Sequence, residues 1–266
     1  MLPLTALVLT GNEEANIART LEGLRWVPRI LVIDSGSTDA TLSILARHAG
    51  VEVIHRPFDS FAAQCNFGLR HIHTEWVLSL DADYLLSPEL AEEISRALRD
   101  PQGSDIAGFA IPFHYCIAGR PVRGTLLPPR ICLYRAATGH YHNDGHGHRV
   151  SIDGPVGRLH NPIRHDDRKP LKRWLASQER YMTIEAAKLQ ATPTNRLSMA
   201  DRLRKHTPLA PLAALLFCLI WKGGLLDGWY GWAYALQRMY AELLLSLLLM
   251  EGRLERSPTT FGPSRP

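Results

Sequence analysis

Cysteine is scarce and badly placed for joint work. The four in 266 residues, Cys65, Cys116, Cys132 and Cys218, form no Cys-x-x-Cys pair. That counts against a zinc ribbon or a dense disulfide framework and fits a reducing cytoplasm. The start, Met-Leu-Pro-Leu, runs straight into strand-like residues with no basic stretch ahead of a long apolar core, so no export signal is expected. No Gly-x-Gly-x-x-Gly follows the first strand, and no Walker-type glycine loop ending in Lys-Ser or Lys-Thr occurs, which argues against dinucleotide and P-loop sites. His-Glu-x-x-His is missing as well, and no cysteine completes a zinc set around the six histidines from His140 to His165. A bilayer crossing needs an apolar run of about 20 residues. The run Leu209–Trp221 has 13 and stops at Lys222, and the later helical stretch carries Gln237, Arg238 and Glu242, costly at bilayer depth.

What is present is a chain with 45% hydrophobic residues, enough for one large domain or one domain with an appendage. The formal charge of +4 is unevenly spread: residues 1–165 carry 15 Lys and Arg against 17 Asp and Glu, and residues 166–266 carry 15 against 9. The basic excess is therefore C-terminal and adjoins the most apolar part of the chain, which favours a lipid surface over nucleic acid as partner.

Short β-rich runs at 4–10 and 29–34 flank a stretch from Asn12 to Trp26 with Ile17, Leu21 and Leu24 at helical spacing. A helix over 39–49, a strand over 51–54, a helix over 60–73 and a strand over 76–80 follow. This alternation predicts an α/β domain with a mostly parallel sheet flanked by helices, and ligands of such sheets bind beyond the carboxyl ends of the strands. Polar residues stand there: Thr10, Asn12 and Glu13 after the first strand, Asp34, Ser35 and Ser37 after the second, Asp81 and Asp83 after the fourth. From 106 to 165 the pattern loosens into short strands rich in Gly, Pro and His, the expected substrate-facing half.

Asp81-Ala82-Asp83 carries the sharpest chemistry. In an extended segment two carboxylates one residue apart point the same way, and they repel unless a cation sits between them or one is protonated. Mg²⁺ or Mn²⁺, held by few protein oxygens and a diphosphate, fits that need, although a surface turn produces the same pattern. Asp34-Ser35-Gly36-Ser37-Thr38-Asp39 offers a carboxylate for a base or ribose, with Thr38 or Asp39 also suited to capping the next helix.

Three segments in order, TALVLTGNEEANIARTLEGL, ILVIDSGSTDATLSILA and AAQCNFGLRHIHTEWVLSLDADYLLSPEL, resemble the inverting glycosyltransferases of family 2, which have the GT-A fold. The similarity is dense over residues 4–95 and greatest to the branch of lipopolysaccharide-core sugar transferases. The resemblance implies a metal-dependent inverting hexosyl transfer from a nucleotide-sugar donor, UDP by analogy, to a lipid-linked or cell-envelope glycan. It also implies a nucleotide site at Thr10, Asn12, Glu13, Asp34, Gln64, Asn66 and Asp81, and a metal site at Asp81 and Asp83. Two departures stand out. That branch reads Asp-Ala-Asp-Glu where this chain has Tyr84, and it carries a downstream His-Glu pair where this chain has His148-Arg149.

A base must therefore be sought locally, and Asn143–Arg149 is the richest segment. Asp144 is the expected base, since a carboxylate can take the proton of the attacking hydroxyl. His146 and His148 can line the acceptor, bind metal, or be solvated loop residues. Arg130 and Arg149 can neutralise the departing diphosphate. His165, in His165-Asp166-Asp167-Arg168-Lys169, is a candidate third metal ligand or plain surface charge. The rival readings are a sugar nucleotidyltransferase, disfavoured by the acidic Gly11–Glu14 loop, and a catalytically silent nucleotide-sugar-binding or scaffold protein.

The expected organisation is a catalytic domain over 1–165, divided into a nucleotide-sugar half at 1–95 and an acceptor half at 96–165, then a helical region at 166–256 and a tail at 257–266. Helices are expected over 171–190 and 229–250, with a basic stretch over 196–206. The helical region reads as an interfacial hairpin or a buried pair, the first placing the protein peripherally or monotopically at the cytoplasmic face of the inner or plasma membrane. A homo-oligomer is the alternative use of these helices.

Overall fold

A computed structural model describes residues 2–100, 105–144 and 147–255. It divides into two units, Met1–Pro170 and Leu171–Pro266. The boundary falls after Pro170 rather than His165 for a physical reason. Asp166 is buried and accepts from Arg19 at 2.7 Å and Arg168 at 2.9 Å, while Asp167 accepts from Asn16, so this strap belongs to the first unit.

In the first unit, β1 (Leu4–Thr10), β2 (Arg29–Asp34), β3 (Val51–His55) and β4 (Trp76–Asp81) form a parallel array in the order β3, β2, β1, β4. Every residue of β1 is buried, as a strand covered on both faces requires. The helices α1 (Ile17–Glu22), α2 (Thr41–Leu45) and α3 (Phe61–Leu69) are shorter than their apolar spacing predicts, their ends running into turns. A strand β5 (Tyr84–Leu85) and a helix α4 (Pro88–Ala97) follow. Ser87 caps α4 by accepting from the Leu90 amide, and Pro88 opens its first turn, a start signal plain in the sequence but passed over.

The rest of the first unit contributes β6 (Gly108–Ile111), β7 (Phe113–Ile117), β8 (Arg120–Pro121), β9 (Arg130–Arg135), β10 (Gly139–Asp144), β11 (Gly147–Ile152), β12 (Val156–Arg158) and β13 (Ile163–His165). β9 lies antiparallel between β4 and β6, and β12 closes that edge, so the sheet is mixed rather than parallel throughout. β10 and β11 form a separate antiparallel hairpin; β13 pairs with β5 and β7 in a small second sheet.

The second unit is helical: α5 (Leu171–Ala191), α6 (Met199–His206), α7 (Ala210–Leu216) and α8 (Trp229–Leu254), with a π-turn over Phe217–Trp221. Met182, Leu189, Leu197, Ala241 and Leu245 form its core. Among the described residues, no helix is long and apolar enough to cross a membrane. The expected tail at 257–266 lies outside the described residues.

Candidate functional site

Register brings the strand ends together: Thr10 pairs with Asp34, and Leu9 with Asp81. Beyond them the loops after β1 and β2 are stitched to one another. Asp34, wholly buried, accepts from Thr10 Oγ1 at 3.1 Å, Ser37 Oγ at 2.5 Å, and the Gly36 and Ser37 amides at 2.9 and 3.0 Å. Burial works to raise its carboxyl, but these donors outweigh it and hold Asp34 below the ordinary range. Gly36 at φ 93° supplies the left-handed turn that points its amide back at the carboxylate. Asn12 Oδ1 accepts from the Thr38 amide at 2.7 Å, and Ser37 Oγ accepts from the Asn12 amide at 2.9 Å. Thr10, Asn12 and Asp34 thus build a rigid rim from their own hydrogen bonds.

Glu13 is salt-bridged to Lys169 at 2.7 Å and accepts from Asn16 Nδ2 at 2.9 Å. Burial raises its carboxyl, and the neighbouring Lys169 only partly offsets that. Lys169, itself mostly buried, has a second carboxylate at 3.5 Å in Asp167; burial pulls its ammonium down, and the charges of Glu13, Asp83 and Asp167 more than restore it. The sequence shows Lys169 only as one charge in a polar run, so its place under the rim went unread.

The Asp81-Ala82-Asp83 segment does not stay extended. β4 ends at Asp81 and the chain turns through Ala82 and Asp83, so the two carboxylates are not the parallel pair an extended segment gives. Asp81 borders a cleft and makes no side-chain hydrogen bond among the described residues. Asp83 is buried. Its Oδ2 lies 3.1 Å from His165 Nε2, while its Oδ1 has no partner. Burial raises the Asp83 carboxyl, but His165 and Lys169 hold it below the usual range; burial lowers His165, and Asp83 outweighs that and raises it. His165, the candidate third ligand, thus turns its Nε2 to Asp83 Oδ2, while its Nδ1 is buried without a partner. Among the described residues no group of three His, Cys, Asp or Glu side chains gathers as a metal site.

The cleft, of ≈ 530 Å³, lies between the ends of β4 and β9 and the β10–β11 hairpin. It brings together Asp81, Arg130, Asp144, His148 and Arg149, five of the residues expected to do chemistry. Asp144 Oδ2 is 3.0 Å from Arg149. His148 stacks on Phe61 at 5.6 Å, and burial, against the pull of Asp81, keeps its pKa below the ordinary imidazole value. Tyr84, at the position where Glu was expected, packs edge-on against Phe113 and His165 and accepts from Arg130 at 3.3 Å. Burial pushes the Tyr84 hydroxyl well up, so it stays protonated. Cys65 and Cys132 also line the cleft, but burial raises both thiols, Cys132 to about 12, which removes them as nucleophiles. His146 lies outside the described residues.

Two expected donor contacts have other tasks. Asn66 Nδ2 donates to the Tyr141 carbonyl at 2.8 Å and its Oδ1 accepts from the Tyr141 amide at 2.9 Å, bonds that pin β10 to α3. Gln64 is buried, and its Nε2 donates to Ser35 Oγ and the Arg56 carbonyl, at 3.1 and 2.9 Å, with Oε1 unpartnered.

Residues 5–142 match the family model described as Glycosyl transferase family 2. The chain is 38% identical over 92 residues to an uncharacterized glycosyltransferase of Rickettsia felis, covering 34% of this chain and 32% of that one. It is 33% identical over 101 residues to the lipopolysaccharide core biosynthesis glycosyltransferase LpsC of Rhizobium meliloti, covering 36% and 37%. The match thus spans about a third of the length of these curated relatives. Among solved structures, S. aureus TarS 1–349 in complex with UDP-GlcNAc is similar at a TM-score of 0.49 and 14% identity, covering 96% of this chain and 93% of that one.

Proposed function

This chain belongs to glycosyl transferase family 2, and we propose that it moves a sugar, with inversion, from a nucleotide-sugar donor to a lipid-linked or cell-envelope glycan. The observation that carries the reading is the cleft at the end of β4, where an unpaired carboxylate, Asp81, faces an arginine and two proton acceptors. An envelope acceptor is supported by the likeness to a relative named for lipopolysaccharide core biosynthesis.

The donor set suits a hard divalent ion, Mg²⁺ or Mn²⁺. Asp83 Oδ1 is a buried oxygen without a partner, a costly state for a carboxylate that a cation relieves, and the Asp81 carboxylate lies two residues away. Asp81 and Asp83 would hold such an ion, which leaves room for ligands from the donor. When bound, the ion neutralises charge developing on the departing nucleoside diphosphate. Arg130 adds a second positive charge at the cleft wall, and its bond to Tyr84 fixes its aim.

The acceptor hydroxyl must lose a proton as its oxygen attacks the anomeric carbon. Asp144 takes that proton, oriented by its ion pair with Arg149. His148, kept neutral, hydrogen-bonds the acceptor beside it. Inversion needs no covalent sugar intermediate, in keeping with the raised thiols of the cleft. The test is a donor panel: purified full chain, Mn²⁺ and a set of nucleotide sugars, UDP-sugars first, scored for products. Release of nucleoside diphosphate from one donor, abolished by EDTA, is expected. Release of pyrophosphate, or no turnover with any donor and a candidate glycan acceptor, overturns the reading.

A further inference from the structure

The second unit has an apolar core and, outside it, a further apolar helix face that nothing in the unit covers. Along α8, Trp229, Trp232, Leu236, Leu243, Leu247 and Met250 recur at intervals of three, four or seven, which is one helix face, and are 39–86% exposed. Tyr234, Ala241 and Leu245, on the opposite face, are buried in the unit, as are Glu242 and Ser246 on the flank, Glu242 receiving Arg204 Nη2 at 2.7 Å. α7 and the π-turn after it follow suit: Leu212, Leu216 and Ile220 are exposed, while Pro211, Cys218 and Leu219 are buried. A helix in water buries one apolar stripe and turns polar residues outward, so the second apolar face of α8 is surplus to the core. At about 1.5 Å per residue, the 26 residues of α8 make this a long stripe, and contiguous exposed apolar patches of such extent mark interaction surfaces.

We propose that this face docks on an anionic lipid membrane, with α7 and α8 lying in the plane of the interface. Two observations select lipid over a second copy of the chain. First, Trp221 and Trp229, 80% and 86% exposed, flank the turn between the two helical segments. An indole has an apolar body and a polar N–H, and it gains most where apolar and wet regions meet. Second, residues 171–266 carry 13 Lys and Arg against 7 Asp and Glu, so two copies repel while an anionic leaflet attracts.

This surface does not rest on the glycosyl-transfer reading, and its test needs no donor. The full chain is floated with vesicles of phosphatidylglycerol and phosphatidylethanolamine, and with phosphatidylcholine alone, at low and high salt. Flotation with the anionic vesicles, weakened by salt, is expected, together with a blue shift of tryptophan emission. L243E/L247E changes two exposed positions, so its circular dichroism should match the parent, and its vesicle affinity should fall at least about tenfold, since each leucine loses a favourable transfer to the apolar phase. A parent chain that stays out of the floating fraction at low salt overturns the proposal. So does a double variant that floats as well as the parent, or one whose only change is a halved mass by light scattering, which assigns the face to a second copy.

Discussion

Asp83 Oδ2 and His165 Nε2 are joined at 3.1 Å, a bond that spans 82 residues of sequence and leaves the other carboxylate oxygen buried and alone. The imidazole thus aims Asp83 and leaves its other oxygen without a partner, the oxygen proposed to meet the cation. Asp83→Ala removes the proposed ligand and little core volume, so turnover and the Mn²⁺ response should both vanish while the circular dichroism stays that of the parent. Asp81→Ala should act similarly and less severely. Wild-type turnover with an unchanged Mn²⁺ titration in Asp83→Ala rules out the metal assignment.

Asp144→Asn keeps size and polarity but cannot take a proton. Its kcat should drop by roughly 10²- to 10⁴-fold, the usual contribution of a positioned base, with donor affinity by calorimetry little altered. His148→Gln should cost less. The reverse order would make His148 the base, and undiminished kcat in both variants would place it elsewhere, with Asp153 next to be tried.

Asn66 acts on the site through β10. Asn66→Ala leaves the amide and carbonyl of Tyr141 without their partners, at a cost of about 1–3 kcal/mol for a buried group left unsatisfied, measurable by urea unfolding. The β10–β11 hairpin carries Asp144 and His148, so kcat should fall while KM for donor holds. An Asn66→Ala variant with a raised donor KM and parental stability would restore Asn66 to the nucleotide site.

Asp34 gives the first unit a pH signature. Its folded pKa lies below the unfolded value of 3.8, so the folded state holds the carboxylate more tightly than the unfolded chain does. The stability this contributes is present above that value and is lost as pH falls through the lower, folded pKa. Asp34→Asn should therefore lower Tm at pH 7 and flatten the loss of Tm between neutral and acid pH. A parallel Tm-against-pH curve for the two proteins would show that the four donors do not set the acid response.

Local pattern was enough for the first four strands. β1, β2 and β4 are apolar runs that a doubly covered sheet must bury, and their ends are marked by the first polar residues, Thr10, Asp34 and Asp81. The helices α5 and α8 followed from their spacing in the same way. The sequence alone therefore determined the α/β class, the strand ends where chemistry gathers and the acidic pair after β4. Tertiary structure decided what those residues touch. The Asn66–Tyr141 and Asp83–His165 contacts join residues 75 and 82 positions apart, Lys169 reaches back to Glu13, and β9 enters between β4 and β6 in the opposite direction. No local period encodes such partners, because a side chain's hydrogen-bonding capacity is fixed by its type while its partner is chosen by the path of the chain. The same holds for α8, apolar around most of its circumference: only packing against α5, α6 and α7 turned Glu242 inward and Leu243 and Leu247 out.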